Sequence, residues 1–372
     1  MKITKLETFF VKPRWVLLKM HTDEGLVGWG EPTLEGWSRT VAAAVDEMGR
    51  YLTGKDPRRI EHHWQALYRG GFYRGGPVVT SALSGIEQAM WDIKGKALGV
   101  PVWQLLGGAV RDRVRLYCHV HAPTADDLVA LGRKVVGWGF GAIKTSPAHG
   151  AIRFVEPPAF VEEVVRRMTA LREALGPDID IAIDFGGRTS PAIAIQLCRA
   201  LEPMRPMFIE EPCLPENVEA LATVARSTSV PIATGERLFT KWGFRELLAK
   251  QAAAILQPDL SHAGGIFEVR KIAAMAEVHY ASVAPHCPLG PVAFAACLQL
   301  AACTPNHLIQ EQVGFGEGYL KTPFVMTGGC VDIPTGPGLG IEIDEDAIRG
   351  QLHDGSWANP RFWNPDGSLA DW

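Results

Sequence analysis

Three short apolar runs decide the fold of this chain: DIDIAIDFGG (178–187), PMFIEEP (206–212) and VPIATGER (230–237). Near the end of each run stands an acid, and these acids, Asp184, Glu210 and Glu236, follow one another at equal intervals of 26 residues. That interval has room for one strand, one helix and two loops, the repeat of a parallel α/β protein. Acids at the ends of three successive parallel strands point to one place, where their oxygens suit a hard cation such as Mg²⁺.

The same alternation of strand and helix extends to both sides of these runs. Amphipathic stretches such as AFVEEVVRRMTALREAL (159–175) and GIFEVRKIAAMAEVHY (265–280) carry apolar residues at three- and four-residue steps. The predicted strands, eight in all, are VRLYCHVH, AIKTSP, IAIDFG, MFIEEP, PIATGE, ILQPDL, SVAPHC and LIQEQ. With seven helices between them they fit a (β/α)₇β barrel, a modified TIM barrel in the α/β class. A doubly wound open sheet is the alternative, which the lack of a G-x-G-x-x-G in the first β-α unit disfavours.

The two ends of the chain follow a different pattern. Residues 1–113 begin with strand-like ITKLETFFV and WVLLKMHTDEGLVGWGE, which predict antiparallel strands, and continue with several helices. Residues 326–372 contain the strand-like VDIPTGPGLGIEID, which we expect to return to the first domain. The predicted organisation is therefore an α+β cap built from both termini, with a catalytic barrel over residues 114–325 inserted between them.

Composition limits the partners of the protein. Among 372 residues, 47% are hydrophobic and 21% charged, and the net charge is −4, which argues against nucleic acid as the main partner. The N-terminus has no apolar stretch followed by a cleavage site, and no apolar run reaches the roughly 18 residues of a membrane span. Seven cysteines without a C-x-x-C pair indicate reduced core residues. We expect a cytoplasmic protein with a small-molecule substrate and no membrane partner.

The C-terminal ends of the predicted barrel strands carry ionisable residues without interruption. One acid at a strand end is usually a helix cap or a surface charge, but catalytic groups on this fold come from these ends. Seven in succession therefore indicate an active site. The residues, in strand order, are Lys144, Asp184, Glu210, Glu236, Asp259, His286 and Glu311.

His286 and Asp259 are predicted to form an acid–base pair, because a carboxylate on one ring nitrogen fixes the tautomer and raises the basicity of the other. Glu311 is placed to hydrogen-bond a developing oxyanion if burial keeps it protonated. Glu211 should point to the other face of its strand and serve the structure. A metal facing a histidine base predicts abstraction of the proton α to a carboxylate, because the resulting enediolate needs a cation and donors in place.

The chain resembles the enolase superfamily, in its mandelate racemase subgroup, along essentially its whole length. The segments that carry the resemblance are FYRGGP (72–77), AMWDIKGKALG (89–99), IEEP (209–212), GER (235–237), ILQPDLSHAGGI (255–266) and APHCPLGP (284–291). Within the subgroup the likeness is strongest to galactonate dehydratases. The resemblance implies Mg²⁺ on the three acids, the His–Asp pair as general base, and a glutamate that supports the enediolate. It also implies loss of water from a sugar acid to give a 2-keto-3-deoxy acid, and a symmetric homo-oligomer.

Two positions bear on the type of reaction. Racemases of the subgroup carry Lys-x-Lys at the second strand end, whereas this chain has Lys144-Thr145-Ser146, which disfavours racemisation. Lys144 either neutralises the substrate carboxylate or serves as a structural ion-pair partner.

Galactonate dehydratases carry a general-acid histidine two residues after the first metal acid, where this chain has Gly186. An epimerase or cycloisomerase acting on a sugar acid is therefore the alternative to a dehydratase. A barrel glycosidase and a non-catalytic relative explain the conjunction of acids less well.

Dehydration without the usual acid leaves two routes open. In the first route, His286 returns the α-proton to a hydroxyl on the same face of the substrate. In the second, one of the histidines near the first two strand ends supplies the proton: His119, His121 or His149. The resemblance further implies that two cap loops cover the substrate. These loops carry the predicted substrate-binding residues Arg14, Trp15, Phe72, Tyr73 and Arg74.

Overall fold

The N-terminal part of the chain forms a three-stranded antiparallel sheet followed by helices. In this computed structural model, residues 1–148 and 150–371 are described. The strands β1 to β3 pair in chain order. The elements of this part are β1 (Ile3–Val11), β2 (Trp15–Thr22), β3 (Val27–Gly30), α1 (Ser38–Leu52), α2 (Ile60–Arg69), α3 (Pro77–Leu98) and α4 (Val102–Leu105).

The central part alternates strand and helix from residue 113 to residue 311. The strands are β4 (Arg113–His119), β5 (Ala142–Thr145), β6 (Asp180–Asp184), β7 (Phe208–Glu210), β8 (Ile232–Thr234), β9 (Ile255–Leu256), β10 (Ser282–Val283) and β11 (Gln310–Glu311). The helices between them are α5 (Ala125–Gly137), α6 (Pro158–Leu175), α7 (Pro191–Leu201), α8 (Val218–Arg226), α9 (Thr240–Ala249), α10 (Ile266–Val278) and α11 (Pro291–Cys303).

These strands close into a barrel. Neighbours pair in parallel from β4 to β10, and β11 pairs in parallel with β4. The remaining gap is bridged where Leu308 N donates to Val283 O at 2.8 Å. A closed parallel sheet with seven intervening helices is the predicted (β/α)₇β barrel, which is confirmed, and the open doubly wound sheet is wrong.

One side chain from each strand or its edge fills the barrel interior. Small alanines from four strands leave room for larger residues from the other four, so that the layer packs without a channel. The layer consists of Tyr117, Ala142, Ala182, Phe208, Ala233, Ile255, Ala284 and Ile309.

The C-terminal part differs from the expectation of a simple return to the cap. Its elements are β12 (Met326–Thr327), β13 (Cys330–Asp332), α12 (Glu345–Gln351), β14 (Phe362–Trp363) and β15 (Leu369–Ala370). Strand β13 pairs antiparallel with β4, so the strand of VDIPTGPGLGIEID joins the barrel. Only the residues after it reach the cap, where Leu339 N donates to Asp92 at 2.9 Å and Lys19 pairs with Glu345 at 2.6 Å.

Two buried glutamates of the cap lie at the N-termini of barrel helices. Glu87 accepts hydrogen bonds from Ile266 N and Phe267 N, at 2.8 and 2.9 Å, at the start of α10. Glu31 accepts from Gly290 N and Ala293 N, at 2.6 and 2.9 Å, at the start of α11. Helix N-termini favour anions, although burial raises the pKa of Glu31 to about 7 and that of Glu87 to about 8. Both contacts anchor the cap above the strand ends.

No helix in the described part of the chain combines the length and the apolar character required to cross a membrane.

Candidate active site

The three predicted metal acids lie side by side at the ends of β6, β7 and β8. Asp184 and Glu210 are the last residues of their strands and are direct partners in the parallel register. Glu236 follows β8 by two residues. Asp184 and Glu236 line a cleft of about 1040 Å³. The equal spacing in sequence therefore becomes adjacency in space.

Glu210 is fully buried, and both of its oxygens are held by neighbours. Lys144 Nζ lies 2.7 Å from Oε1, and Gln257 Nε2 donates to Oε2 at 2.7 Å. Burial raises the pKa of Glu210 well above its usual range, Lys144 opposes this, and the charges of Asp184 and Glu236 raise it further. Asp184 and Glu236 thus act on Glu210 as like charges.

The negative charges of these acids determine which kind of ion the site can hold. Among residues 1–148 and 150–371, no three His, Cys, Asp or Glu side chains converge closely enough to form a ready metal site. The donor set nevertheless fits a hard divalent cation, because it consists of three carboxylates whose mutual repulsion such an ion would relieve. Asp184, Glu210 and Glu236 are the residues that would hold Mg²⁺.

His286 and Asp259 form the predicted pair. Nδ1 of His286 lies 2.8 Å from Oδ2 of Asp259, and Ser261 N donates to the other oxygen of Asp259 at 2.6 Å. Nε2 of His286 lies 3.5 Å from Glu236, so the ring reaches the metal acids. Burial lowers the pKa of His286, but Glu236, Glu311 and Asp259 together raise it well above its usual value. The arrangement leaves Nε2 as the atom that takes up a proton.

Glu311 lies among hydrogen-bond donors, contrary to the expectation that it stays protonated. Lys144 Nζ and His119 Nε2 each lie 2.7 Å from Oε1, and Cys287 N donates to Oε2 at 2.6 Å. Burial raises the pKa of Glu311, but Lys144, His286 and His119 outweigh it and hold the pKa well below its usual range. The prediction rested on burial and on the negative charge of the intermediate, because sequence does not show which cation reaches the carboxylate.

Lys144 lines the cleft and pairs with the acids at its base. Its side chain is almost fully buried between Glu210 and Glu311, and its Nζ lies 4.0 Å from Asp184. Burial lowers the pKa of Lys144, and Glu210 and Glu311 raise it well above its usual value. The ion pairs fit the structural role of Lys144, and its place on the cleft keeps neutralisation of the substrate carboxylate as the other predicted role.

A row of polar side chains runs from Glu311 to the end of β5. His119 Nδ1 lies 3.4 Å from His121 Nε2, and His121 Nδ1 lies 3.4 Å from Ser146 Oγ. All three side chains line the cleft. His149, the third predicted source of a proton, lies outside the described residues.

The cap loops meet the cleft only in part. Arg14 lines it, 3.6 Å from Glu35 and stacked over Trp357. Trp15, Tyr73 and Arg74 do not line the cleft of the described structure, and their placement over the substrate stays a prediction. Trp15 begins β2 and packs inward against Tyr319, whereas Tyr73 is 91% exposed because its glycine-bounded loop extends into solvent.

Several residues of the cleft escaped the sequence analysis. His262 Nε2 lies 3.7 Å from both Asp259 and Glu35, which links the base pair to the cap. Arg237 donates to Gly186 O at 2.7 Å. The available signals were their positions in SHAGG and GER, since His262 lies three residues after Asp259 and Arg237 directly follows Glu236. Nothing in the sequence pointed to Glu35, which becomes a neighbour only when the cap docks.

Comparisons with known proteins agree with this geometry. Residues 127–347 match the family described as enolase C-terminal domain-like, and residues 7–107 match the mandelate racemase/muconate lactonizing enzyme N-terminal domain. A D-galactonate dehydratase of Ralstonia nicotianae is 48% identical, and one of Cronobacter sakazakii is 46% identical, each over the full length of both chains.

Solved structures share the whole architecture. A mandelate racemase/muconate lactonizing enzyme from Sulfitobacter sp. superposes with a TM-score of 0.93 at 35% identity, covering 100% of both chains. An enolase superfamily member from Salmonella Typhimurium has a TM-score of 0.90 at 29% identity, covering 94% of this chain and 97% of its own. The chain belongs to the enolase superfamily, in its mandelate racemase subgroup.

Proposed function

We propose that this protein is a Mg²⁺-dependent sugar-acid dehydratase that acts on D-galactonate or a closely related aldonate. The observation that carries the proposal is the His286–Asp259 pair, at 2.8 Å, with its free nitrogen facing the acids of the predicted metal site. Relatives 46–48% identical over their full length are named D-galactonate dehydratase, which supports the choice of substrate class.

The reaction begins with loss of the α-proton. Asp259 accepts the Nδ1–H of His286, so the proton arrives at Nε2. Mg²⁺, when bound by Asp184, Glu210 and Glu236, supplies positive charge beside the substrate carboxylate. Arg14, which lines the cleft from the cap, carries a guanidinium suited to a hydroxyl or carboxylate of the substrate. Breaking the bond between the β-carbon and its hydroxyl then gives water and an enol, which becomes the 2-keto-3-deoxy acid.

An epimerase or cycloisomerase is the second candidate, because Gly186 stands where a general acid is expected. Both functions share the first step and differ in the second. A dehydratase forms a keto acid, whereas an epimerase returns a proton to the α-carbon and forms none.

One experiment tests both candidates. The protein is incubated with Mg²⁺ and a set of aldonates in D₂O, with α-proton exchange followed by NMR and keto acid by a carbonyl assay. We expect exchange and keto acid with D-galactonate or a stereoisomer, and neither with a His286→Asn variant. As a control, His279→Asn alters an exposed histidine beyond α10 and should behave as the wild type. Exchange without keto acid would favour the epimerase, and no exchange with any aldonate would overturn both candidates.

A further inference from the structure

We infer that His121 is the general acid that protonates the departing hydroxyl, with His119 and Glu311 fixing the nitrogen that carries the proton. The inference rests on the proposed function and extends it. Hydroxide is a poor leaving group, and an acid catalyst raises the rate of its departure by a factor of about 10²–10⁴. Gly186 has no side chain to supply that acid.

The row of contacts determines the tautomers. Glu311 is an acceptor, held as a carboxylate by Lys144, so His119 donates to it through Nε2. Nδ1 of His119 then has no proton and accepts, and the partner that faces it at 3.4 Å is Nε2 of His121. His121 therefore keeps the proton on Nε2. Any further proton on this ring resides on Nδ1, which faces Ser146 Oγ at 3.4 Å.

The position of the ring suits proton delivery. His121 follows β4 and lies beside Ser146, which follows β5 directly. His121 follows β4 and His286 follows β10, and β11 lies between these two strands in the closed sheet. The two rings thus reach the cleft from different strands, so one removes the α-proton while the other serves the hydroxyl. His121 is also exposed, which lets solvent restore its proton after each turnover.

The electron pair released at the α-carbon forms the carbon–carbon double bond. The bond between the β-carbon and the hydroxyl oxygen breaks, and its electron pair stays on the oxygen. The proton on Nδ1 of His121 passes to that oxygen and gives water. His121 is left neutral and regains a proton from solvent, and His286 returns the α-proton to solvent.

A substrate analogue whose leaving group departs more easily than hydroxide distinguishes a general-acid role of His121 from a structural role. His121→Asn should lower keto acid formation from D-galactonate about 10²–10⁴-fold. The same variant should keep α-proton exchange within about tenfold of the wild type. It should also keep fluoride release from the 3-deoxy-3-fluoro analogue, because fluoride needs no proton to depart. His279→Asn is the matched control at the other end of the barrel.

An unchanged rate of dehydration in His121→Asn would overturn the inference. The remaining route would then be return of the α-proton by His286 to a hydroxyl on the same face of the substrate. A parallel fall of exchange, fluoride release and dehydration would also overturn it, since that pattern marks a disturbed fold or site. Absence of exchange in the wild type, with every aldonate, would overturn the proposed function itself and the inference with it.

Discussion

Glu31 of the cap accepts a hydrogen bond of 2.6 Å from the backbone nitrogen of Gly290, four residues after His286. The carboxylate is fully buried, and its second oxygen accepts from Ala293 N at 2.9 Å. A Cβ on Gly290 would lie 2.8 Å from both carboxylate oxygens, so glycine is required for this approach. The loop that carries the base is thereby attached to the cap.

Replacing Glu31 should weaken both the fold and the reaction. In Glu31→Gln, the amide presents a donor to one of the two backbone donors, which leaves a buried group unsatisfied at a cost of about 1–3 kcal/mol. We expect a lower midpoint of urea unfolding and a lower rate of α-proton exchange. Glu47→Gln removes an exposed acid of α1 and serves as the control. An unchanged midpoint and rate in Glu31→Gln would show that the contact does not support the loop.

Binding of Mg²⁺ should stabilise the protein. A ligand that binds only the folded state adds about 2.7 kcal/mol at one hundred times its Kd. After treatment with a chelator, added Mg²⁺ should raise the Tm, and Asp184→Asn should remove most of that rise. Glu246→Gln, which alters an exposed acid of α9, is the control. A wild-type Tm that does not respond to Mg²⁺ would contradict the metal assignment.

Asp259 should act through the tautomer of His286. In Asp259→Asn, the side-chain oxygen can still accept from Ser261 N, so the loop keeps one of its bonds. The amide then donates to Nδ1 of His286, which moves the ring proton to Nε2 and blocks the base. We expect the rate of α-proton exchange to fall about 10²–10⁴-fold with little change in stability. Asp346→Asn, at an exposed position of α12, is the control. Exchange at the wild-type rate would exclude Asp259 from the base pair.

Sequence could predict those parts of the site that follow from regular spacing. The equal intervals of Asp184, Glu210 and Glu236 place them on successive strands, and the barrel then brings them together without further information. His286 and Asp259 are predictable for the same reason, since each follows a short apolar run by a few residues.

Sequence could not predict contacts that depend on how long side chains cross the barrel or how the cap docks. Lys144 reaches both Glu210 and Glu311, and this decides the charge of Glu311. In the sequence, Glu31 resembles an ordinary loop acid and Glu87 an ordinary helix acid. Only the folded structure shows that their carboxylates accept hydrogen bonds at the N-termini of barrel helices. The loop of Tyr73 is exposed, and a motif alone does not fix the direction in which such a loop extends.

The two glycines after Asp184 should differ in their tolerance of a side chain. Both have left-handed backbone, with φ of +63° at Gly186 and +72° at Gly187, so any side chain costs roughly 1–2 kcal/mol there. A Cβ on Gly186 meets nothing closer than 3.4 Å, whereas one on Gly187 would lie 2.7 Å from Arg237 Nη1. Gly186→His should therefore fold, whereas Gly187→His should displace the Arg237 guanidinium from Gly186 O and have a somewhat lower midpoint of urea unfolding.

Gly186→His also tests what the glycine means for the reaction. A histidine here borders the cleft beside Asp184, at the position where the family resemblance implies a general acid. Combined with His121→Asn, it should restore keto acid formation from D-galactonate at least tenfold relative to His121→Asn alone, because an acid on the third strand replaces the lost one. Gly186→Ala in the same background carries the backbone strain without the acid and is the control. Equal keto acid formation by the two double variants would show that position 186 cannot deliver a proton to the leaving hydroxyl.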